Sequence, residues 1–440
     1  MAMASDLTSK APKAAQKRVR VALLGAGIFM HNTYVPTLTA PEGVVSNLFD
    51  VRAVWSQTKA SADRLADRLE EEGYVPTCGR YFGDVDALLD AEDLDAVIIA
   101  LPPEPQLEIA CKALARSVSV LQEKPIGVDP EAVAEAIATH ARAPSGAVWA
   151  VGENYRFEPI FAAARGLMRE SLGQVTHVDV HAAQRLHSGS PYFHTPWRRD
   201  AGAAGRPGGA NSWRRGGFLF EGPVHLIAAC RLLLGDSAAP GPGETSSTSP
   251  AAVTASATMQ RRHAQVTDQP DTLIGWLRFE GEGDGEGEGK KEGEGWGKDG
   301  SATTRTANIY VTFSAASPYA RWLVECERGR LQITRGPGLQ YTLEVMTEAS
   351  GAFERVDVFP YAGIERELVA FHGAVVRAGK EGEGEDGEGE EGKGEGGDGE
   401  GGEGEGAWGL SPAEAARDAA CLWALFDAAE AGRNVQVSMP

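Results

Sequence analysis

Val19-Arg20-Val21-Ala22-Leu23-Leu24-Gly25-Ala26-Gly27-Ile28-Phe29-Met30, residues 19–30, is the stretch on which the fold turns. An apolar run of strand length stops at Gly25. Glycines at 25 and 27 allow a tight turn and a close approach of backbone N–H groups to a pyrophosphate, with Ile28 and Phe29 beside the nucleotide. Met30 stands where the usual fingerprint has a third glycine. The following helix must therefore pack differently on the sheet or begin later, near His31 and Asn32.

Downstream, hydrophobic periodicity alternates between strands and helices up to Val151. Val51–Trp55, Asp95–Leu101, Val118–Leu121 and Ala147–Val151 read as strands, and Ser61–Glu71, Glu104–Ala115 and Pro130–Ala141 as helices. That order predicts an α/β fold with an N-terminal Rossmann doubly wound parallel sheet. Leu121-Gln122-Glu123-Lys124-Pro125-Ile126-Gly127 then gains meaning. Lys124 leaves the carboxyl edge of a strand that Pro125 cannot extend, so it points into the crevice where cofactors bind. At the end of the second strand, Ser56-Gln57-Thr58-Lys59 has no acid to accept from a ribose 2′-hydroxyl, and Arg64 follows. Hydroxyl and cationic groups suit a 2′-phosphate, which favours NADP, with NAD possible.

Gly25-Ala26-Gly27, Leu101-Pro102-Pro103, Glu123-Lys124-Pro125, Glu153-Asn154-Tyr155-Arg156-Phe157 and Glu221-Gly222-Pro223-Val224-His225 occur in this order. The chain thereby resembles the Gfo/Idh/MocA oxidoreductases (glucose-fructose oxidoreductase, inositol dehydrogenase and rhizopine catabolism proteins) over nearly its whole length. The resemblance implies that Lys124 and His225 are catalytic beside the nicotinamide, and that Leu101, Pro102, Gln106 and Glu123 line the cofactor. It also implies that Tyr155, Arg156 and Glu221 join Lys124 and His225 around the substrate. Glu221 replaces a more usual Asp, Pro223 a common glycine, and Gln106 a frequent histidine. Trp-Arg-Arg occurs twice, at 197–199 and 213–215; Trp197 and Arg198, which follow Tyr192 and Thr195 in family-like order, are the expected cleft pair. A cis Lys124–Pro125 bond is a further implication.

The residue types suit the chemistry. Oxidising an alcohol needs a base of near-neutral pKa, which His225 supplies. Lys124 can hold the reacting oxygen, while Glu221 could orient the histidine or bind a second hydroxyl. The expected function is hydride transfer to or from a hydroxyl or carbonyl carbon of a small polar substrate such as a sugar, polyol or related acid. The rival reading is a non-catalytic NADP-binding redox sensor or regulatory protein.

Of the formal charge of −20, residues 281–300 carry −4 and residues 380–406 carry −10. Both are Gly/Glu tracts with almost nothing to bury, expected as disordered insertions. Their sign argues against nucleic acid as a partner. The expected domains are a flexible tail at 1–18, the Rossmann domain at 19–152, and a substrate domain at 153–440 with a large open, mostly antiparallel sheet. By family analogy that sheet also serves a homo-oligomer. A final helix is expected at Pro412–Ala431, capped by Ser411. Five scattered cysteines make a disulfide framework or a metal site unexpected. No apolar run spans a bilayer, so no membrane role is expected. A cytoplasmic location is the default, although the short basic tail weakly resembles an organelle presequence.

Overall fold

A computed structural model describes residues 17–74, 78–143, 146–195, 198, 217–236, 252–263, 267, 269–280, 304–336, 338, 340–383 and 408–439. The 281–300 tract, the 380–406 tract beyond residue 383, Trp197 and the second Trp-Arg-Arg lie outside the described residues.

Strands β1 (Val19–Leu24), β2 (Phe49–Ser56), β3 (Gly79–Phe82), β4 (Ala96–Ile99), β5 (Ser119–Glu123) and β6 (Trp149–Gly152) form a six-stranded sheet in the order 3-2-1-4-5-6. Every pairing is parallel. The central strand β4, Ala-Val-Ile-Ile, is buried at each position, as a strand covered by helices on both faces must be. Thr58 caps the helix Lys59–Glu71 and Asp129 caps Pro130–Ala141 by accepting from backbone N–H groups. Strand order reverses between β1 and β4, so the crevice opens at their carboxyl ends.

Gly25 has φ +107°, and a Cβ there would lie 2.3 Å from the Ala100 carbonyl oxygen. No other residue could make this turn. The helix opens at Ile28, directly after Gly27, which overturns the later start near His31 and Asn32. The helix widens into a π turn over Met30–Tyr34, with Met30 fully buried against the sheet.

The second sheet contains β7 (Val175–Arg185), β8 (Ala252–Gln260), β9 (Thr272–Glu280), β10 (Thr304–Thr312), β11 (Ser314–Cys326), β12 (Gly329–Gly336), β13 (Gln340–Thr347), β14 (Glu354–Pro360) and β15 (Val435–Gln436). Its order is 14-13-12-11-7-10-9-8-15. Among the described residues only β7 and β10 of this sheet pair in parallel. The helices Pro223–Leu234 and Pro412–Ala431 belong to the core that this sheet covers. They are joined by buried ion pairs: Arg231 donates to Asp236 (2.8 Å), Asp418 (2.6 Å) and Glu414 (3.1 Å). Ser411 caps the second helix at Glu414 N as its sequence predicts.

The helix Gly363–Glu383 returns to the first sheet. Its Phe371 stacks on Phe49 of β2, with ring centroids 6.5 Å apart, and Ile364 and Leu368 join the core formed by β1, β2 and the Met30 helix.

Candidate active site

The carboxyl ends of β1, β4 and β5, the start of the Pro223–Leu234 helix and the end of β7 enclose a cleft of about 500 Å³, a volume suited to a small ligand. Gly27, Ile28, Phe29, Leu101, Pro102, Glu123, Lys124, Arg198, Glu221 and His225 line it. Ten of the residues expected from sequence therefore meet in one place.

His225 is held there by its helix. Every other residue of Pro223–Leu234 is buried, which fixes the helix in the core and leaves the imidazole at the cleft wall. Its Nδ1 lies 2.6 Å from Glu153 Oε1, and its ring stacks on Tyr155 with centroids 4.8 Å apart. Burial, aided by Lys124 and Arg335 and opposed by Glu153, lowers the imidazole pKa below its ordinary value. Burial works against ionisation of Glu153 too, but His225, Arg156 and Lys124 outweigh it and hold that carboxyl below its ordinary range. The arrangement is a neutral imidazole whose Nδ1–H donates to a carboxylate, with Nε2 left to accept a proton.

Lys124 follows β5, and the Lys124–Pro125 peptide bond is cis. Its Nζ donates to the Glu221 carbonyl oxygen at 3.3 Å. Glu123 accepts from the Tyr34 hydroxyl at 2.7 Å. Burial pushes its carboxyl up to about 7, against the pull of Lys124 and Tyr34.

Four expectations need correction. Glu221 does not orient His225; its carboxylate is taken by Arg198, whose Nη2 donates at 3.1 Å and whose guanidinium also lies over the Tyr192 ring. The orienting acid is Glu153, whose motif in the sequence implies no role for it. Glu153 follows the buried strand β6 at the same carboxyl edge as Lys124, and that placement was the available signal. Arg156 is not a substrate ligand: its buried guanidinium pairs with Asp418 and reaches the Glu414 carbonyl. Tyr155 lies behind His225 and not in the cleft wall, its hydroxyl accepting from Arg335 at 2.9 Å. Gln106 is wholly buried and touches no cleft space; it donates to the Glu123 carbonyl at 3.0 Å and so braces the Glu-Lys-Pro loop.

The residues present fit a dinucleotide. A Cβ on Gly27 would meet nothing nearer than the Ala100 oxygen at 3.9 Å, so open space faces the backbone where helix N–H groups begin. Ser56 ends β2 buried, while Gln57, Thr58 and Lys59 are exposed beyond it. Lys59 pairs with Asp63 at 2.7 Å and Arg64 donates to Ser61 at 3.0 Å. These residues lie outside the cleft wall. Among the described residues no group of His, Cys, Asp and Glu could hold a metal ion, and no helix is long and apolar enough to cross a membrane.

Residues 19–150 match the model of an oxidoreductase family with an NAD-binding Rossmann fold. A dehydrogenase of Fusarium mangiferae is 30% identical over 221 residues, 49% of this chain and 58% of that protein. A D-xylose 1-dehydrogenase (NADP(+)) of Haloferax volcanii is 27% identical over 213 residues, 48% of this chain and 56% of that protein. The chain thus spans a little over half the length of these relatives. The solved structure of an aldose-aldose oxidoreductase from Caulobacter crescentus superposes with TM-score 0.66 at 17% identity, covering 96% of this chain and 100% of that one; it shares the fold. Residues 19–150, which hold the glycine turn, the parallel sheet and the Glu-Lys-Pro loop, thus carry the NAD-binding Rossmann domain of the Gfo/Idh/MocA oxidoreductase family.

Proposed function

We propose that the protein is an NADP-preferring oxidoreductase that transfers hydride to or from a hydroxyl or carbonyl carbon of a small sugar, polyol or related acid. The observation that carries this reading is the convergence of Lys124, His225 and Glu153 at the carboxyl edge of the first sheet. When bound, the nicotinamide supplies the hydride acceptor or donor. Gly25, Gly27 and the first turn at Ile28 would hold its pyrophosphate, with Ser56, Lys59 and Arg64 nearest the adenosine ribose.

In the oxidation direction, His225 Nε2 receives the hydroxyl proton. Glu153 keeps the proton on Nδ1 and steadies the imidazolium that results. Lys124 Nζ, already at the cleft wall, stabilises negative charge on the reacting oxygen. Arg198 and Glu221 offer a donor and an acceptor to further hydroxyls. The names of the relatives from Haloferax and Caulobacter support a sugar-type substrate, and the former supports NADP. The nine-stranded sheet is the face on which we place self-association.

Calorimetry tests the cofactor assignment. NADPH should bind more tightly than NADH, by a margin that shrinks as salt is added, and Ser56→Asp should erase or reverse it. Equal affinities at low salt would remove the NADP assignment.

A further inference from the structure

Gly152 ends β6 and is the register partner of Glu123 in β5. A Cβ on Gly152 would come 3.0 Å from Oε1 of Glu367. Glu367, on the Gly363–Glu383 helix, therefore fills the space that a missing side chain leaves beside Glu123, one residue from Glu153. Glu367 is completely buried, and neither of its carboxyl oxygens has a hydrogen-bond partner among the described residues.

Its charged surroundings are acidic on every side. Glu123 faces it from β5, and Glu153 and Glu158 from the segment after β6. Tyr34 of the glycine-turn helix feels both Glu123 and Glu367. Glu153 has His225, and both Arg156 and Lys124 favour its charge. Glu123 accepts from Tyr34, and Glu158 accepts from Ala362 N at 3.0 Å. Glu367 has no comparable support. Carboxylates crowded in a dry interior cannot all ionise, and the one without donors is the one to keep its proton.

We propose that Glu367 is the carboxyl of this cluster that remains a neutral acid in the working protein, so that negative charge rests on Glu153. There the charge fixes the imidazole with Nε2 toward the cleft. The role rests on His225 acting as the base. Burial and the three neighbouring carboxylates push the Glu367 carboxyl well above its ordinary range, in keeping with that assignment.

Infrared spectra of the full-length protein at about pH 9 provide the test. Glu123 and Glu158, pushed up to about 7, are ionised there, and the carbonyl stretch of a protonated carboxylic acid should remain. It should vanish in Glu367→Gln and persist in Glu153→Gln. Melting curves need no substrate either. A carboxyl with a raised folded pKa contributes stability that is present at low pH and lost as pH rises toward that pKa. Glu367→Gln lacks this loss, so its melting temperature should gain on the native protein from pH 5 upward. Near neutrality the same variant should keep hydride transfer within about twofold, with the acidic limb of the pH profile unmoved, while Glu153→Gln shifts that limb.

Absence of the acid band from the native protein overturns the proposal whether or not any variant folds, as does a band removed by Glu153→Gln alone. A folded, cofactor-binding Glu367→Gln that loses more than about tenfold in hydride transfer overturns it too. Failure of His225→Ala to slow hydride transfer would sink the base role instead, leaving the infrared and melting results to decide the protonation of Glu367 separately.

Discussion

Around Arg231, the buried carboxylates Asp236, Glu414 and Asp418 each meet a guanidinium, and Arg156 and Arg417 supply further cations at Asp418 and Glu414. Around Glu123, the buried carboxylates Glu153, Glu158 and Glu367 meet, among the described residues, one histidine, backbone N–H groups and no guanidinium at hydrogen-bond distance. Both clusters take acids out of water. Only the first neutralises them with cations fixed in place, and it binds helix to helix. The second leaves carboxyl oxygens unpaired beside a cleft, which raises or lowers individual pKa values in the way that proton-transfer sites require. The difference separates acids that hold the fold from acids that set a protonation state.

That contrast breaks most readily at His225. His225→Ala should reduce single-turnover hydride transfer by roughly two to four orders of magnitude. Lys124→Met should do comparable damage by removing a positioned charge. Neither should weaken NADPH binding, measured separately by calorimetry. Native rates in both variants would place the unpaired cluster outside the chemistry.

The paired cluster should respond in the opposite currency. Arg231→Met leaves buried carboxylates without their partner and should cost roughly 3–5 kcal/mol in denaturant unfolding. The rate per folded molecule should change little. A variant of native stability would mean that the ion pairs contribute no net energy.

A finer probe is pH. Activity requires neutral His225, so the rate should fall as pH drops through an imidazole pKa depressed below its ordinary value. Glu153 opposes that depression. Glu153→Gln should therefore carry the acidic limb to still lower pH while reducing the plateau, because the ring loses its orienting acceptor. A limb that stays in place would detach Glu153 from the histidine. The smallest effect belongs to the helix that carries Glu414 and Asp418: Ser411→Ala removes its N-cap and should cost about 1 kcal/mol, read in the same unfolding assay.

Local rules found the first sheet. Gly25 needs a positive φ, β4 reads as a doubly covered strand, and Lys124 stands immediately before a strand-stopping proline. The edge strand β3 went unseen because its burial only alternates between intermediate and exposed. β14 shows mostly exposed positions and likewise carries little apolar signal. In the site, residue type identified His225 and Lys124, but partner choice was illegible. Arg156 looks like a ligand-binding cation beside two aromatics, and only the tertiary fold brings it to Asp418. Glu221 seemed free to serve His225 because nothing in sequence shows Arg198 reaching it first. Glu153 was within reach of the same edge-of-strand rule that selected Lys124.

The Gly363–Glu383 helix also bears on ancestry. Its residues Ile364, Leu368 and Phe371 share a core with Val19, Val21 and Phe49 in the nucleotide-binding half, so a gene fragment ending at β6 would encode a sheet with part of one apolar face uncovered. The N-terminal half is therefore not a portable cassette. Recombination that moved it to another partner would have to bring this distant helix along or provide a replacement, which ties the two halves into a single heritable unit.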